Sequence, residues 1–135
     1  MPRSRLRLGP VEDWSAEPPH YREAVAVPDL AVAKLRRFCE SRVPAHLRDE
    51  VRLEVDVRGN SMTIADCRPL WLGAPGEWTR MKIAQIRYEP ETGLWRLYCA
   101  DRNGRWHFYD DLEPTTQLEE VIDEIDDDPT CIFFG

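Results

Sequence analysis

No run of apolar residues in this 135-residue chain lasts more than a few positions, which leaves no candidate for a membrane-spanning helix. The N-terminus, MPRSRLRLGPVEDW, has arginines but no apolar stretch behind them, so no secretory leader is expected and the cytoplasm is the default compartment. The four cysteines, Cys39, Cys67, Cys99 and Cys131, include no CxxC pair, which withholds the spacing of a zinc site. Disulfides are not expected in a reducing compartment, and Cys39 and Cys99 fall in apolar periodic segments where a free thiol packs as a small hydrophobe. No P-loop, GxSxG, HExxH or dinucleotide fingerprint occurs, and the runs Asp110-Asp111 and Asp126-Asp127-Asp128 lack calcium-loop spacing. No cofactor and no metal are therefore expected.

A further absence is regional. Between Asp110 and Asp128 there are ten acids and no Lys, Arg or His. Removing those ten from the 25 acids of the chain leaves 15 against 18 bases, so the net charge of -7 hides a remainder of +3. Local field rather than net charge decides what a surface attracts, so a basic surface remains open to this chain.

Read in order, residues 1–27 are rich in proline and charge and lack sustained periodicity. They form an arm whose anchors would be Trp14 and Tyr21 and whose Arg3, Arg5 and Arg7 could meet an anion. The remaining residues, 28–135, read as one domain. A helix is expected from Asp29 to Ser41, with Pro28 at its entrance and an apolar stripe of Ala31, Leu35 and Phe38 flanked by Leu30. Val43-Pro44 ends it, and PAHLRDE supplies one more helical turn. Val51 to Arg58 alternates apolar and charged residues as a half-buried strand does. Gly59-Asn60 then makes a two-residue turn that sets Val57 opposite Met62 and Val55 opposite Ile64. CRPLWLGAPGEWT, Cys67 to Thr79, reads as a long loop whose Trp71 and Trp78 fold back as lids over the core's edge.

Arg80 to Asp110 reads as three consecutive strands. The turn at Pro90–Gly93 pairs Tyr88 with Trp95, Arg87 with Arg96 and Ile86 with Leu97, and the three-residue step from Ile83 to Ile86 predicts a bulge near Ala84-Gln85. Asn103-Gly104 predicts a two-residue type I′ turn, which would put Cys99 opposite Phe108 and Tyr98 opposite Tyr109. That register places Trp95, Leu97, Cys99, Trp106 and Phe108 on the core face and Arg96, Tyr98, Arg105, His107 and Tyr109 on the other. Thr116 and Glu119 have the form of a capping box, opening a helix with Leu118, Val121, Ile122 and Ile125 on one stripe. CIFFG closes the chain as a short strand or hook. The fold class is α+β: a five-stranded antiparallel sheet, two hairpins plus a third strand, with an N-terminal and a C-terminal helix packed on one face.

The segments WTRMKIAQIRYEPETGLWRLYCADRNGRWHFYDDL, DPTCIFFG and FCESRVPAHLRDEVRLEVDVRGNSMTI together resemble a prokaryotic family known as domain of unknown function 3024, over about residues 28–135. The resemblance implies a small stand-alone domain and carries no activity, cofactor or site residue with it.

The leading functional expectation is a non-catalytic binding module. Its ligand-binding residues would be Arg87, Arg96, Tyr98, Arg105, His107 and Tyr109, with Arg52 and Arg58 on the same face, diluted by Glu54 and Asp56. Arginines supply phosphate contacts and the rings supply stacking surfaces, so the partner would be single-stranded nucleic acid or another phosphate-rich ligand. An ordinary solvated face is the competing reading. The acidic helix could instead fold over the basic face as a mask. One alternative is a protein-interaction or structural module using a protein partner at the arm, the tryptophan loop or the acidic helix. Another is a small metal-independent ribonuclease with His107 as base and Arg96 or Arg105 steadying the phosphate, though only tyrosines are at hand as the second proton-transfer group.

Overall fold

The computed structural model of the chain describes residues 27–70 and 76–134, and the expectations that rest on Arg3, Arg5, Arg7, Trp14, Tyr21 and Trp71 lie outside them. Val27 is buried against the core, and Pro28 caps helix α1, Asp29–Arg42. The buried stripe of α1 is Ala31, Val32, Leu35 and Cys39, with Phe38 half-buried and Leu30 66% exposed. The expected stripe is therefore turned by about one position. Both sets have helical spacing and share Ala31 and Leu35, so periodicity alone does not choose between them; packing on the first strand does. A 3-10 turn, Ala45–Leu47, follows Pro44.

The strands β1 (Arg52–Arg58), β2 (Ser61–Pro69), β3 (Trp78–Glu89), β4 (Leu94–Ala100) and β5 (Trp106–Phe108) form a single antiparallel sheet in sequence order. The Gly59-Asn60 turn sets Val57 opposite Met62 and Val55 opposite Ile64, as the alternation requires. Gly59 has φ 56 and Asn60 does not have a positive φ, the pattern of a turn with glycine first. The region expected as a loop is strand at both ends: β2 runs on to Pro69 and β3 starts at Trp78, with Pro69 opposite Trp78. Trp78 is thus a strand residue stacked under the Arg52 guanidinium at 4.1 Å rather than a lid. The register slips between Ile64 and Ala65, which pair with Ala84 and Lys82, so the bulged residue is Ile83, one position before the expected place. Doubling a residue there lets Ile83 and Ala84 both be buried.

The β3–β4 register agrees with the sequence reading. The β4–β5 register does not. Tyr98 pairs with Phe108, Cys99 with His107 and Ala100 with Trp106, one residue away from the expected pairing. The cause is Asp101. Its carboxylate accepts the backbone N–H of Asn103 at 2.8 Å and of Arg105 at 2.9 Å, while its carbonyl accepts that of Gly104 at 2.9 Å. The loop is therefore three residues, Arg102-Asn103-Gly104, with only Gly104 left-handed at φ +80. A slip of one residue moves every side chain of a strand to the opposite face. Trp106 and Phe108 accordingly leave the core face and join Tyr98, whereas His107 goes to the Cys99 side and Tyr109, whose N–H reaches the Leu97 carbonyl at 2.8 Å, is buried.

Beyond β5, Thr115 exchanges two backbone hydrogen bonds with Trp95, at 2.7 and 3.1 Å. That anchor displaces the expected Thr116–Glu119 box: Thr115 Oγ1 accepts the Gln117 N–H at 3.0 Å and donates to Glu120, and α2 runs over Leu118–Asp127. Leu118, Val121 and Ile125 are buried and Ile122 half-buried. Asp128 ends α2 in the left-handed region at φ 46, and its two carboxylate oxygens accept the N–H groups of Phe133 at 2.9 Å and Phe134 at 2.8 Å. The last residues are thus a hook rather than a strand. Phe133 is buried on Tyr109, and Phe134 lies under the Arg42 guanidinium at 3.8 Å.

Both helices join one hydrophobic cluster with Met62, Ile64, Ile86 and Leu97, so they cover the same face of the sheet. The acidic helix therefore lies on the side away from the basic face and does not mask it. Several of its acids have local work: Glu119 pairs with Lys34, Asp126 with Arg42 at 2.6 Å, and Glu124 accepts the Tyr109 hydroxyl at 2.6 Å. Among the described residues, no helix is long and apolar enough to cross a membrane.

Candidate nucleic-acid interface

The face opposite the helices carries the residues that alternate outward from each strand. Because of the bulge, β3 contributes Trp78, Arg80 and Lys82 before Ile83, and Gln85, Arg87 and Glu89 after it. From β4 come Arg96 and Tyr98, and from β5 come Trp106 and Phe108.

Electrostatics divide this face in two. On the β1 side, Arg80 reaches both Glu54 and Asp56, so its charge is answered within the sheet. On the β3–β5 side, Lys82 and Arg87 have no carboxylate partner among the described residues, and Arg96 has only Glu89 at 3.8 Å. Glu54 and Asp56 thus dilute the β1 edge, and Glu89 is the acid paired on the other side.

Arg87 is the most constrained of these cations. Its guanidinium lies over the Tyr98 ring, 3.8 Å from the centroid, and its Nε donates to Gln85 Oε1 at 2.6 Å. Gln85 is itself oriented by donating to Thr63 Oγ1 at 3.0 Å. The chain Thr63–Gln85–Arg87–Tyr98 fixes the guanidinium plane and leaves its two terminal nitrogens as a fork, the geometry that suits a phosphate or carboxylate. Rings alternate with the cations: Phe108 meets Tyr98 edge-on at 5.7 Å, and the Lys82 ammonium lies 5.6 Å from the Trp106 ring while donating to the Gly104 carbonyl at 3.3 Å.

Of the six residues singled out by sequence, Arg87, Arg96 and Tyr98 stand together on this face. Arg105 is exposed at the end of the hairpin loop. His107 and Tyr109 belong to the other side. His107 Nε2 is 2.7 Å from Asp101 Oδ2, so it clips the hairpin loop, and it does not share a face with Arg96. Tyr109 is buried with its hydroxyl on Glu124, and burial followed by that hydrogen bond pushes its pKa up to about 12. His107 and Arg96 therefore lie on opposite sides of the sheet. Lys82, Trp106 and Phe108 are the residues that sequence reasoning missed. The signal for the two rings was Asp101, an acid one position before Arg102-Asn103-Gly104, able to hold a three-residue loop.

Residues 24–135 match the model of a family described as Domain of unknown function (DUF3024). The chain belongs to that family. No curated protein and no solved structure matches it. In this DUF3024 domain a concavity of about 880 Å³ also opens beside that face, lined by Leu53, Ile83 and Phe133 together with Arg80 and Lys82. Of its lining cations, Arg42, Arg68 and Arg80 are held by Asp126, Asp66 and the Glu54–Asp56 pair, whereas Lys82 connects it to the β3–β5 side of the open face; none of the six residues singled out by sequence lines it. The DUF3024 domain has, among its described residues, no cluster of three His, Cys, Asp or Glu placed to hold a metal. Its thiols are chemically quiet where buried: desolvation and then Glu40 push Cys39 up to about 12, and burial also raises Cys67 and Cys99.

Proposed function

We propose that this protein is a non-catalytic binding module that takes nucleic acid, through its phosphates, on the β3–β5 half of the open sheet face. One observation carries this reading. Arg87 is held flat on Tyr98 and tied to Gln85, yet no acid in the described residues answers its charge. A half-buried guanidinium fixed by its neighbours but lacking a counterion suits an anion supplied from outside, whereas Arg80 on the same sheet already has two. Lys82, Arg96 and Arg105 extend the positive field around it. The four free cysteines suit a reducing compartment such as the cytoplasm, where nucleic acid is present.

Fluorescence anisotropy of a labelled oligonucleotide at 20–200 mM salt, the range being about where counterion release dominates, tests the reading. Binding should weaken as salt rises, with a log–log slope that shrinks by about 0.7–0.9 for each phosphate contact removed. The triple variant Lys82→Gln, Arg87→Gln, Arg96→Gln should lose binding and keep its circular dichroism spectrum, since these side chains line an open face. Arg80→Gln should bind as the parent does. Flat titrations of single- and double-stranded polymers at low salt would refute the proposal.

A further inference from the structure

Resting on the reading above, we infer that the ligand is a single strand whose bases are unstacked from one another, held over a short footprint by Trp106 and Phe108. The two rings alternate along β5 and so share one face two residues apart, a separation of about 6.8 Å at the usual strand rise. Nucleotides stacked in a helix advance only about 3.4 Å per residue along each strand. Consecutive bases that cover both rings must therefore be stretched about twofold relative to a stacked strand. A duplex cannot supply them, because its base faces are covered by neighbouring pairs.

The neighbouring groups assign the remaining roles. Tyr98 has one surface taken by the Arg87 guanidinium and meets Phe108 edge-on, with the ring planes 71° apart. It is a prop that orients the cation and the second ring. Phe108 is 40% exposed, which leaves part of its ring open to a base. The Lys82 ammonium lies over one surface of the Trp106 ring, leaving the other for a base, and the Phe108–Tyr98 pair has the Arg87 fork, so each stacking position has a cation for an adjoining phosphate. Towards β1 the path is closed by the carboxylates of Glu54 and Asp56 around Arg80. The footprint is therefore confined to the β3–β5 half, where the two rings of β5 and the two cations of β3 serve two or three nucleotides.

Stacking on an aromatic side chain takes any base, but the strand must first give up its own stacking. A thymidine tract, which stacks little with itself, should therefore bind more tightly than an adenosine tract, and both more tightly than a hairpin duplex. The experiment compares dT10, dA10 and a ten-base-pair hairpin at one salt concentration, then dT3 to dT10 for length. We expect dT10 to exceed the hairpin by about tenfold and dT4 to retain most of the affinity, the size that one or two stacking contacts give. Phe108→Ala and Trp106→Ala should each weaken dT10 by about tenfold with the salt slope unchanged, and Phe108→Trp should restore it. A hairpin that binds as well as dT10, or a Phe108→Ala variant that binds dT10 like the parent, overturns the inference while leaving nucleic-acid binding in place. No binding of any of the three at low salt overturns the reading on which it rests.

Discussion

Replacing Asp128 tests how the end of the chain is attached, because its roles can be separated by the choice of substitute. The residue has φ 46, and both carboxylate oxygens accept backbone N–H groups from the hook, at 2.9 and 2.8 Å. Hydrogen bonds to a charged group contribute about 1.5–3 kcal/mol each. Losing both sums to about 3–6 kcal/mol, and for Asp128→Ala a Cβ-bearing, non-Asx residue in the left-handed region adds about 1 kcal/mol. Release of the hook sets a ceiling, because freeing buried Phe133 forfeits about 2–3 kcal/mol of burial together with the Phe134–Arg42 stack. Asp128→Gly relieves the backbone but still removes both acceptors, so it should be the milder of the two by about that 1 kcal/mol. Asp128→Asn keeps one acceptor oxygen and tolerates the conformation, so the loss of one bond, about 1.5–3 kcal/mol, is expected. The measurement is urea unfolding of the four proteins, and in thermal melts each kcal/mol should move the midpoint by roughly 4 °C. An Asp128→Gly variant as stable as the parent would show that the carboxylate does not hold the hook.

Other consequences are open to direct measurement. With Ellman's reagent at neutral pH the folded protein should release one thiol quickly, that of exposed Cys131, and the other three only in denaturant; fast reaction of two or more would contradict the burial of Cys39, Cys67 and Cys99. The Asp101 carboxyl is held below its usual range, first by His107 and next by the Arg105 N–H, so the stability it gives is present above its unfolded value of about 3.9 and is lost as acid protonates the folded form. Melting temperatures from pH 6 to pH 2.5 should therefore fall less steeply for Asp101→Asn than for the parent, and parallel curves would argue against the clip. Tyr109 keeps its proton up to about 12 in the fold but loses it near 10 when unfolded, so the parent should be destabilised progressively above about pH 10. Tyr109→Phe should cost about 1–2 kcal/mol at pH 8 and show a smaller alkaline decline in its urea midpoint.

The local elements were legible because their causes are local. Alternation in Val51–Arg58 and a glycine-first turn are enough to set the β1–β2 register, since a slip there would expose Val55 and Ile64 together. Pro28 and Val43-Pro44 bracket α1 for similarly short-range reasons. Half of the candidate site followed from the same logic: Arg87, Arg96 and Tyr98 share a face whenever the β3–β4 pairing holds.

What the sequence by itself determined was the α+β class, the order of elements, the β1–β2 and β3–β4 registers and the existence of a face rich in arginine and aromatic rings. Only the tertiary structure decided which aromatics belong to that face. Asn103-Gly104 favours a two-residue turn locally, but the Asp101 carboxylate, itself tied to His107, holds a three-residue loop. That preference is worth little next to the hydrogen bonds and burial it competes with: the shifted register buries Tyr109 between Phe133 and Glu124. The same shift takes His107 away from the arginines and brings Trp106 and Phe108 to them. Tertiary packing likewise set the acidic helix on the far side of the sheet, where Lys34 and Arg42 answer part of its charge. The Asp101 loop and the packing of Tyr109 on residues 15 and 24 positions away select the register together, and a one-residue difference in β5 decides whether His107 and Tyr109 or Trp106 and Phe108 stand beside the arginines.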